Sequence, residues 1–250
     1  MTRKNVILHI PHASLLMPEE LMGDLLVPYS RVKEDALYLS DMYCDELFDY
    51  EGVRTFKAEY NRYICDVERF PDDAQEEMAK KGQGLYYTHL FDGSRFRGAE
   101  RRDEIKEKVY DKFHQEFSDA VGNALRDSSR CLIIDCHSFP DDLEGRGDLP
   151  DICFGSSDYH TPHWLLDAAI GFIRDSYGAL DVKVNDPFSG AIVPAEYFRN
   201  NENVCSVMIE LNRRLYMSPG YIKSEGFEST KKLCKELIGF LIKNFKGGSQ

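Results

Sequence analysis

The sequence predicts an α/β fold: a mainly parallel, mixed and twisted sheet with helices on both faces. Two observations carry that prediction. Strand-length segments alternate with helix-patterned ones, and strands such as Cys131–Asp135 are apolar at nearly every residue, as in sheets covered on both sides. No repeat and no low-complexity linker divides the chain, so residues 1–250 are read as one domain.

The elements follow in order. Asn5–Ile10 is a compact apolar strand, and Arg31–Tyr50 reads as a helix. Val53–Ala58 is a second strand, and Tyr63–Val67 an extended segment after Asn61-Arg62. Phe96–Arg126 is helix-patterned, with Ile105, Val109, Phe113, Phe117, Val121 and Leu125 forming a four-residue stripe. Strands are expected at Cys131–Asp135, Asp151–Phe154, Asp181–Asn185 and Val204–Leu211, and helices at Thr161–Tyr177 and Glu228–Phe245. Residues 246–250 read as a loose tail.

Composition excludes several function classes. Forty-three acidic against 31 basic side chains give a formal charge of −12, which counts against a nucleic-acid partner. A small anionic substrate stays compatible, because a few arginines in one pocket dominate locally. No run approaches the roughly 20 apolar residues of a membrane helix. The basic N-terminus turns apolar for only about five residues, as for a strand rather than a signal peptide. Seven scattered cysteines without a C-x-x-C pair read as reduced thiols in a cytoplasmic protein. The composition carries no signal for oligomeric state.

In parallel sheets, ligands bind beyond the carboxyl ends of the strands. Three such ends carry polar residues: Pro11-His12-Ala13-Ser14, Cys136-His137-Ser138, and Glu210-Leu211-Asn212-Arg213-Arg214. Two neutral imidazoles and one carboxylate are the ligand set of a catalytic zinc with an open fourth position, and other divalent metals accept the same donors. Asp135, two residues before His137, shares its strand face and would orient the imidazole. His9 reads as core, and His114, His160 and His163 as structural. Position 15 is Leu, so no H-x-x-E pair supplies the third ligand. Asp41 and Asp45 stand four apart in the expected helix Arg31–Tyr50 and share a face. Asp41 is the first choice, with Asp45 the alternative or an orienting partner.

Other chemistries fit less well. Cys136 and His137 are adjacent strand residues on opposite faces, so they cannot form a nucleophile pair. The chain has no G-x-S-x-G, no G-x-x-x-x-G-K-[ST] and no G-x-G-x-x-G motif.

At these strand ends the sequence resembles the N-formylglutamate amidohydrolase family, in order and along nearly the whole chain. Ile10-Pro-His-Ala-Ser14 is similar to its PHS element. Ser40-Asp-Met-Tyr-Cys-Asp-Glu-Leu47 is similar to its D-x-x-x-D-x-L helix, and Asn61-Arg-Tyr-Ile-Cys-Asp66 to its SR-x-x-x-D segment. Ile134-Asp-Cys-His-Ser138 resembles the IDCHS core. Asn185-Asp-Pro-Phe-Ser-Gly190 resembles the N-x-PY-x-GG loop, and Ile209-Glu-Leu-Asn-Arg-Arg-Leu-Tyr216 the IEINRRLY segment. Departures fall at Glu68 (Asn in the family), Phe139 (Met), Phe188 (Tyr) and Ala191 (Gly), which border the substrate region.

The resemblance implies a phosphorylase/hydrolase-like fold and metal-assisted amide hydrolysis, with formate released from N-formyl-L-glutamate in histidine degradation. It implies zinc on His12, Asp41 and His137, and Glu210 as general base. Arg62, Arg213 or Arg214 would bind substrate carboxylates or stabilise the oxyanion, and Asn212, Asn185 and Ser138 would line the substrate. Of the arginines, at least one is expected to be held in a salt bridge, to Asp66 or Glu68. The expectation is therefore a zinc amidohydrolase acting on an N-acyl, foremost N-formyl, acidic amino acid. Its rivals are the same chemistry on another N-acyl amino acid or small peptide, and a non-catalytic metal- or anion-binding protein.

Overall fold

The computed structural model describes residues 3–143 and 145–245, so the expected tail at 246–250 and Glu144 lie outside the described residues. The chain divides into two compact units. A sheet unit comprises Met1–Ile10, Tyr43–Phe56 and Ser118–Gln250, and a second unit comprises Pro11–Met42 and Lys57–Phe117.

Among the described residues the sheet has six strands: β1 (Val6–Ile10), β2 (Arg54–Lys57), β3 (Cys131–Phe139), β4 (Ile152–Gly155), β5 (Val182–Val184) and β6 (Val204–Asn212). Their order is β2-β1-β3-β6-β4-β5. The pairs β1–β3, β3–β6 and β4–β5 are parallel and β4–β6 is antiparallel, the mixed, mostly parallel α/β sheet that the apolar strands predict. β3 and β6 occupy the centre and are buried at all nine positions each, whereas edge strand β5 is partly exposed. A short hairpin, β7 (Met217–Ser218) and β8 (Ile222–Lys223), follows β6.

Seven α-helices complete the described residues: α1 (Glu19–Met22), α2 (Tyr29–Leu39), α3 (Cys44–Leu47), α4 (Arg102–Ile105), α5 (Lys112–Ser128), α6 (His163–Ser176) and α7 (Phe227–Asn244). α7 buries Phe227, Thr230, Leu233, Cys234, Leu237, Ile238 and Leu241, the three-and-four spacing of one helix face. No helix among the described residues is long and apolar enough to cross a membrane. All seven cysteines are buried, and none of them is in a disulfide.

The structure corrects three sequence expectations. The helix expected over Arg31–Tyr50 is two helices, because Ser40 turns extended and returns its Oγ to Ala36 O at 2.6 Å, and Tyr43 adopts φ 67°. Asp41 therefore lies between helices and shares no helical face with Asp45. The extended segment expected at Tyr63–Val67 begins instead as a turn: Asn61 O accepts Ile64 N, and Asn61 Oδ1 accepts Tyr63 N at 2.9 Å. The helix expected from Phe96 begins only at Arg102, because Phe96 N bonds Thr88 O as extended backbone. A π-helical stretch, Lys106–Asp111, separates α4 from α5.

The second unit packs around Met22, Tyr63, Tyr86, Tyr87 and Phe96, with Arg97 only 1% exposed among them. Its guanidinium donates to Tyr87 O (2.5 Å), Tyr63 O (2.6 Å) and Met22 O (3.2 Å), and lies 3.5 Å from the Tyr86 ring centroid. Burial lowers its pKa to about 10, so it stays charged at neutral pH. One side chain thus satisfies carbonyls from three segments. Each buried acceptor left without a donor costs about 1–3 kcal/mol. Arg97→Met is expected to destabilise the protein by about 3–5 kcal/mol in urea unfolding, and Arg97→Lys to recover only part, since an ammonium lacks the planar fork. A loss below about 1 kcal/mol would contradict this role.

Candidate active site

In the sheet unit, the ladders set one row of side chains. β3 and β6 pair residue for residue from Cys131↔Val204 to Phe139↔Asn212. His137 and Glu210 are therefore direct neighbours inside the strands, rather than beyond their ends as sequence reasoning expects. The reason is backbone pairing: buried N–H and C=O groups at these polar positions need partners, and the neighbouring strand supplies them. Asp135 lies one pleat below His137 on the same face, beside His9 of β1. His137 and Glu210 are 3% and 7% exposed.

Asp135 links two imidazoles. Its Oδ1 accepts from His9 Nδ1 at 2.8 Å and from His137 Nε2 at 2.9 Å, while Oδ2 accepts from Ile192 N at 3.1 Å. Burial alone would raise this carboxyl, but His137 and His9 outweigh it and hold the pKa below the ordinary carboxylate range. Sequence reasoning placed Asp135 behind His137 but read His9 as core. Period-two patterning marks His9 only as inward-facing, and cannot show what it meets there.

The same strand ends position the other candidates of this unit. Arg213 is buried, its Nε and Nη2 directed at Ser138 Oγ and O at 3.4 and 3.5 Å. Arg214 donates to Asp141 Oδ1 (2.8 Å), Asp151 Oδ1 (3.0 Å) and Leu149 O (3.0 Å). Asn212 uses its amide on Asp141, Pro150 O and Arg214 N. Asn185, at φ 55°, exchanges two hydrogen bonds with Ser156 and so pins the loop that follows β5. That loop runs close to β4: a Cβ on Gly155 would sit 2.3 Å from Gly190 O, so only glycine fits. Burial pushes the Cys136 thiol well above the ordinary range, which counts against a nucleophile at this position.

In the second unit, His12 is the centre of a second cluster. Its Nε2 bonds Asp66 Oδ1 at 2.9 Å, while Nδ1 lies 3.7 Å from Asp41 Oδ2 and 3.8 Å from Glu68 Oε2. Asp41 N also donates to His12 O at 2.9 Å, which fixes the two residues side by side. Asp66 is fully buried and accepts from Arg62 (2.9 Å) and Tyr87 Oη (2.7 Å), with Arg69 at 3.4 Å. Burial would raise its pKa, but Arg62, His12 and Arg69 outweigh that and hold it well below the usual range. Arg62 also donates to Leu39 O at 3.2 Å, so the salt bridge foreseen for one arginine is the one it makes with Asp66.

Sequence reasoning did not foresee Asp66 behind His12, or Glu68 beside it. The only sequence signal was the Asn61–Asp66 match and the Glu68 departure, neither of which names a partner. Asp45 lies in α3 of the sheet unit, partly exposed.

The fold class is α/β, and His9, Asp135 and His137 in one unit, with His12 and Asp41 in the other, have the chemistry of metal ligands. The family model for N-formylglutamate amidohydrolase matches residues 4–217, and the chain belongs to that family. An N-formylglutamate deformylase of Pseudomonas aeruginosa is 25% identical over 223 residues, covering 83% of each chain. Another, of Pseudomonas putida, is 24% identical over 255 residues, covering 96% of this chain and 93% of its own. The crystal structure of an N-formylglutamate amidohydrolase from Ralstonia eutropha JMP134 aligns with a TM-score of 0.81 at 20% identity, over 96% of this chain and 93% of that one. A gene product of Agrobacterium tumefaciens aligns at 0.67 with 18% identity, over 96% and 90%. At these identities the two structures establish a shared fold.

Proposed function

We propose that this protein is a metal-dependent amidohydrolase that cleaves the amide of an N-acyl acidic amino acid, N-formylglutamate foremost. The observation that carries the reading is shared by both candidate ligand histidines. Each gives one ring N–H to a fully buried aspartate, His12 to Asp66 and His137 to Asp135, which turns its other nitrogen away as a donor. Family membership and the names of the relatives support the substrate class.

The donor set fits a divalent metal. By donor chemistry, His12, Asp41 and His137 would supply two imidazoles and one carboxylate, the set that leaves a catalytic zinc one open position. His12 Nδ1 and Asp41 Oδ2, 3.7 Å apart, are too distant for a hydrogen bond. They are near the roughly 3.3 Å that separates two ligands bonded to one tetrahedral zinc. When bound, zinc would supply a Lewis acid and bring the pKa of a coordinated water to about 7. Glu210, beside His137 in the ladder, takes the proton of the attacking water and returns it to the leaving nitrogen. Arg213 meets the substrate carboxylate or the developing oxyanion, whereas Arg62 and Arg214 hold Asp66 and the Asp141–Asp151 loop. Asn185 and Asn212 shape the loops around the substrate, with Ser138 beneath Arg213. A role in histidine degradation in the cytoplasm belongs to the same proposal.

The test is formate or amine release across a panel of N-acyl amino acids, together with elemental analysis of untagged protein purified without added metal. N-formylglutamate is expected to be the preferred substrate, and about one equivalent of zinc to copurify. Asp41→Ala is expected to lose that metal and Asp45→Ala to keep it. No turnover of N-formylglutamate by zinc-loaded protein sinks the substrate. Metal retained in Asp41→Ala and lost in Asp45→Ala would reverse the ligand assignment.

A further inference from the structure

His9 is the only polar residue of β1, whose other members are Val6, Ile7, Leu8 and Ile10. It is wholly buried within the sheet, where a side chain needed only for packing would be apolar. Its register partner on β3 is Asp135, and its Nδ1 is bonded to that carboxylate at 2.8 Å.

We propose that His9 is a positioning residue for His137, acting through the carboxylate they share. The inference rests on the reading of His137 as a metal ligand. An ionised carboxylate only accepts, so both nitrogens that face Asp135 Oδ1 carry protons. His137 is thereby held as the Nε2–H tautomer, with its lone pair on Nδ1, where a metal can bind. Three donors define the carboxylate plane: His9 Nδ1 and His137 Nε2 on Oδ1, and Ile192 N on Oδ2. Of these, His9 and Ile192 come from outside β3 and so fix the carboxylate independently of the ligand. Without the His9 donor, the carboxylate can rotate about its remaining backbone bond, and the His137 ring is no longer held in one orientation.

A substitution series separates this role from packing. Asparagine places its amide N–H where histidine carries Nδ1–H, leucine fills similar space with no donor, and glutamine carries its amide at the Nε2 position. Histidine 15N spectra of metal-free protein would be compared for wild type, His9→Asn, His9→Leu and His9→Gln, with zinc affinity measured by chelator competition and folding by thermal melts. His137 is expected as a single Nε2–H tautomer in wild type and His9→Asn, and as a tautomer mixture in His9→Leu. Zinc affinity is expected to fall about tenfold in His9→Leu and to stay at the wild-type level in His9→Asn. If His9→Leu does not fold, His9→Gln serves as the donor-displaced variant with the same expectation. Identical His137 signals in all the folded variants overturn the proposal, as do equal affinity losses in the asparagine and donor-less variants. If wild type binds no zinc, the metal reading fails, while the metal-free tautomer comparison still decides the role of His9.

Discussion

Glu210→Gln is expected to lower kcat for N-formylglutamate hydrolysis by about 10²–10⁴-fold, with zinc content unchanged. Glutamine keeps the size and most of the hydrogen-bonding capacity of glutamate but cannot accept a proton from water. The position is suited to a base: Glu210 is paired with His137 on β3 and with Cys153 on β4, and is 7% exposed. Because the backbone ladder rather than the side chain holds β6 in place, the substitution should leave the fold intact. Steady-state formate release and metal analysis on the same preparation check this. Activity within about tenfold of wild type would remove Glu210 from the general-base role.

Asp66→Asn is expected to cost about 3–5 kcal/mol of stability in urea unfolding. Asp66 is fully buried and faces Arg62, Arg69, Tyr87 and His12. Neutralising it leaves the guanidinium groups of Arg62 and Arg69 in a poorly solvated interior without their counter-charge. Such uncompensated burial costs several kcal/mol, far more than the loss of an exposed ion pair. Zinc affinity is expected to drop about 10–100-fold in whatever fraction stays folded, since His12 loses the carboxylate that orients it. A variant as stable as wild type would show that the arginines do not depend on Asp66. Unchanged zinc affinity would separate Asp66 from the ligand.

Much of the sheet unit is legible in the sequence. β3 and β6 begin as largely apolar runs and are buried throughout, and central strands of a covered sheet carry that signature regardless of what surrounds them. The α7 helix was equally plain, because its buried residues repeat at the helical period over 18 residues. Short-range patterns failed where a side chain competed with the backbone. Ser40 ends α2 by bonding back to Ala36 O, and Asn61 folds the chain into a turn through Tyr63 N. Neither competition leaves a periodic trace.

The amino-acid sequence by itself determined the fold class and placed His12, His137 and Glu210 at or near the C-terminal ends of β1, β3 and β6. Periodicity and motif order are local properties, so they survive reading in one dimension. Only the tertiary structure decided which side chains stand behind those residues. It joined His9 to His137 through Asp135, set Asp66 and Glu68 beside His12, and committed Arg62 and Arg214 to aspartates. The pairs His9–Asp135 and His12–Asp66 are separated by 126 and 54 residues in the chain. Partnerships at such separations depend on strand register and loop closure, and the energy that selects them is the cost of leaving a buried charge unsatisfied.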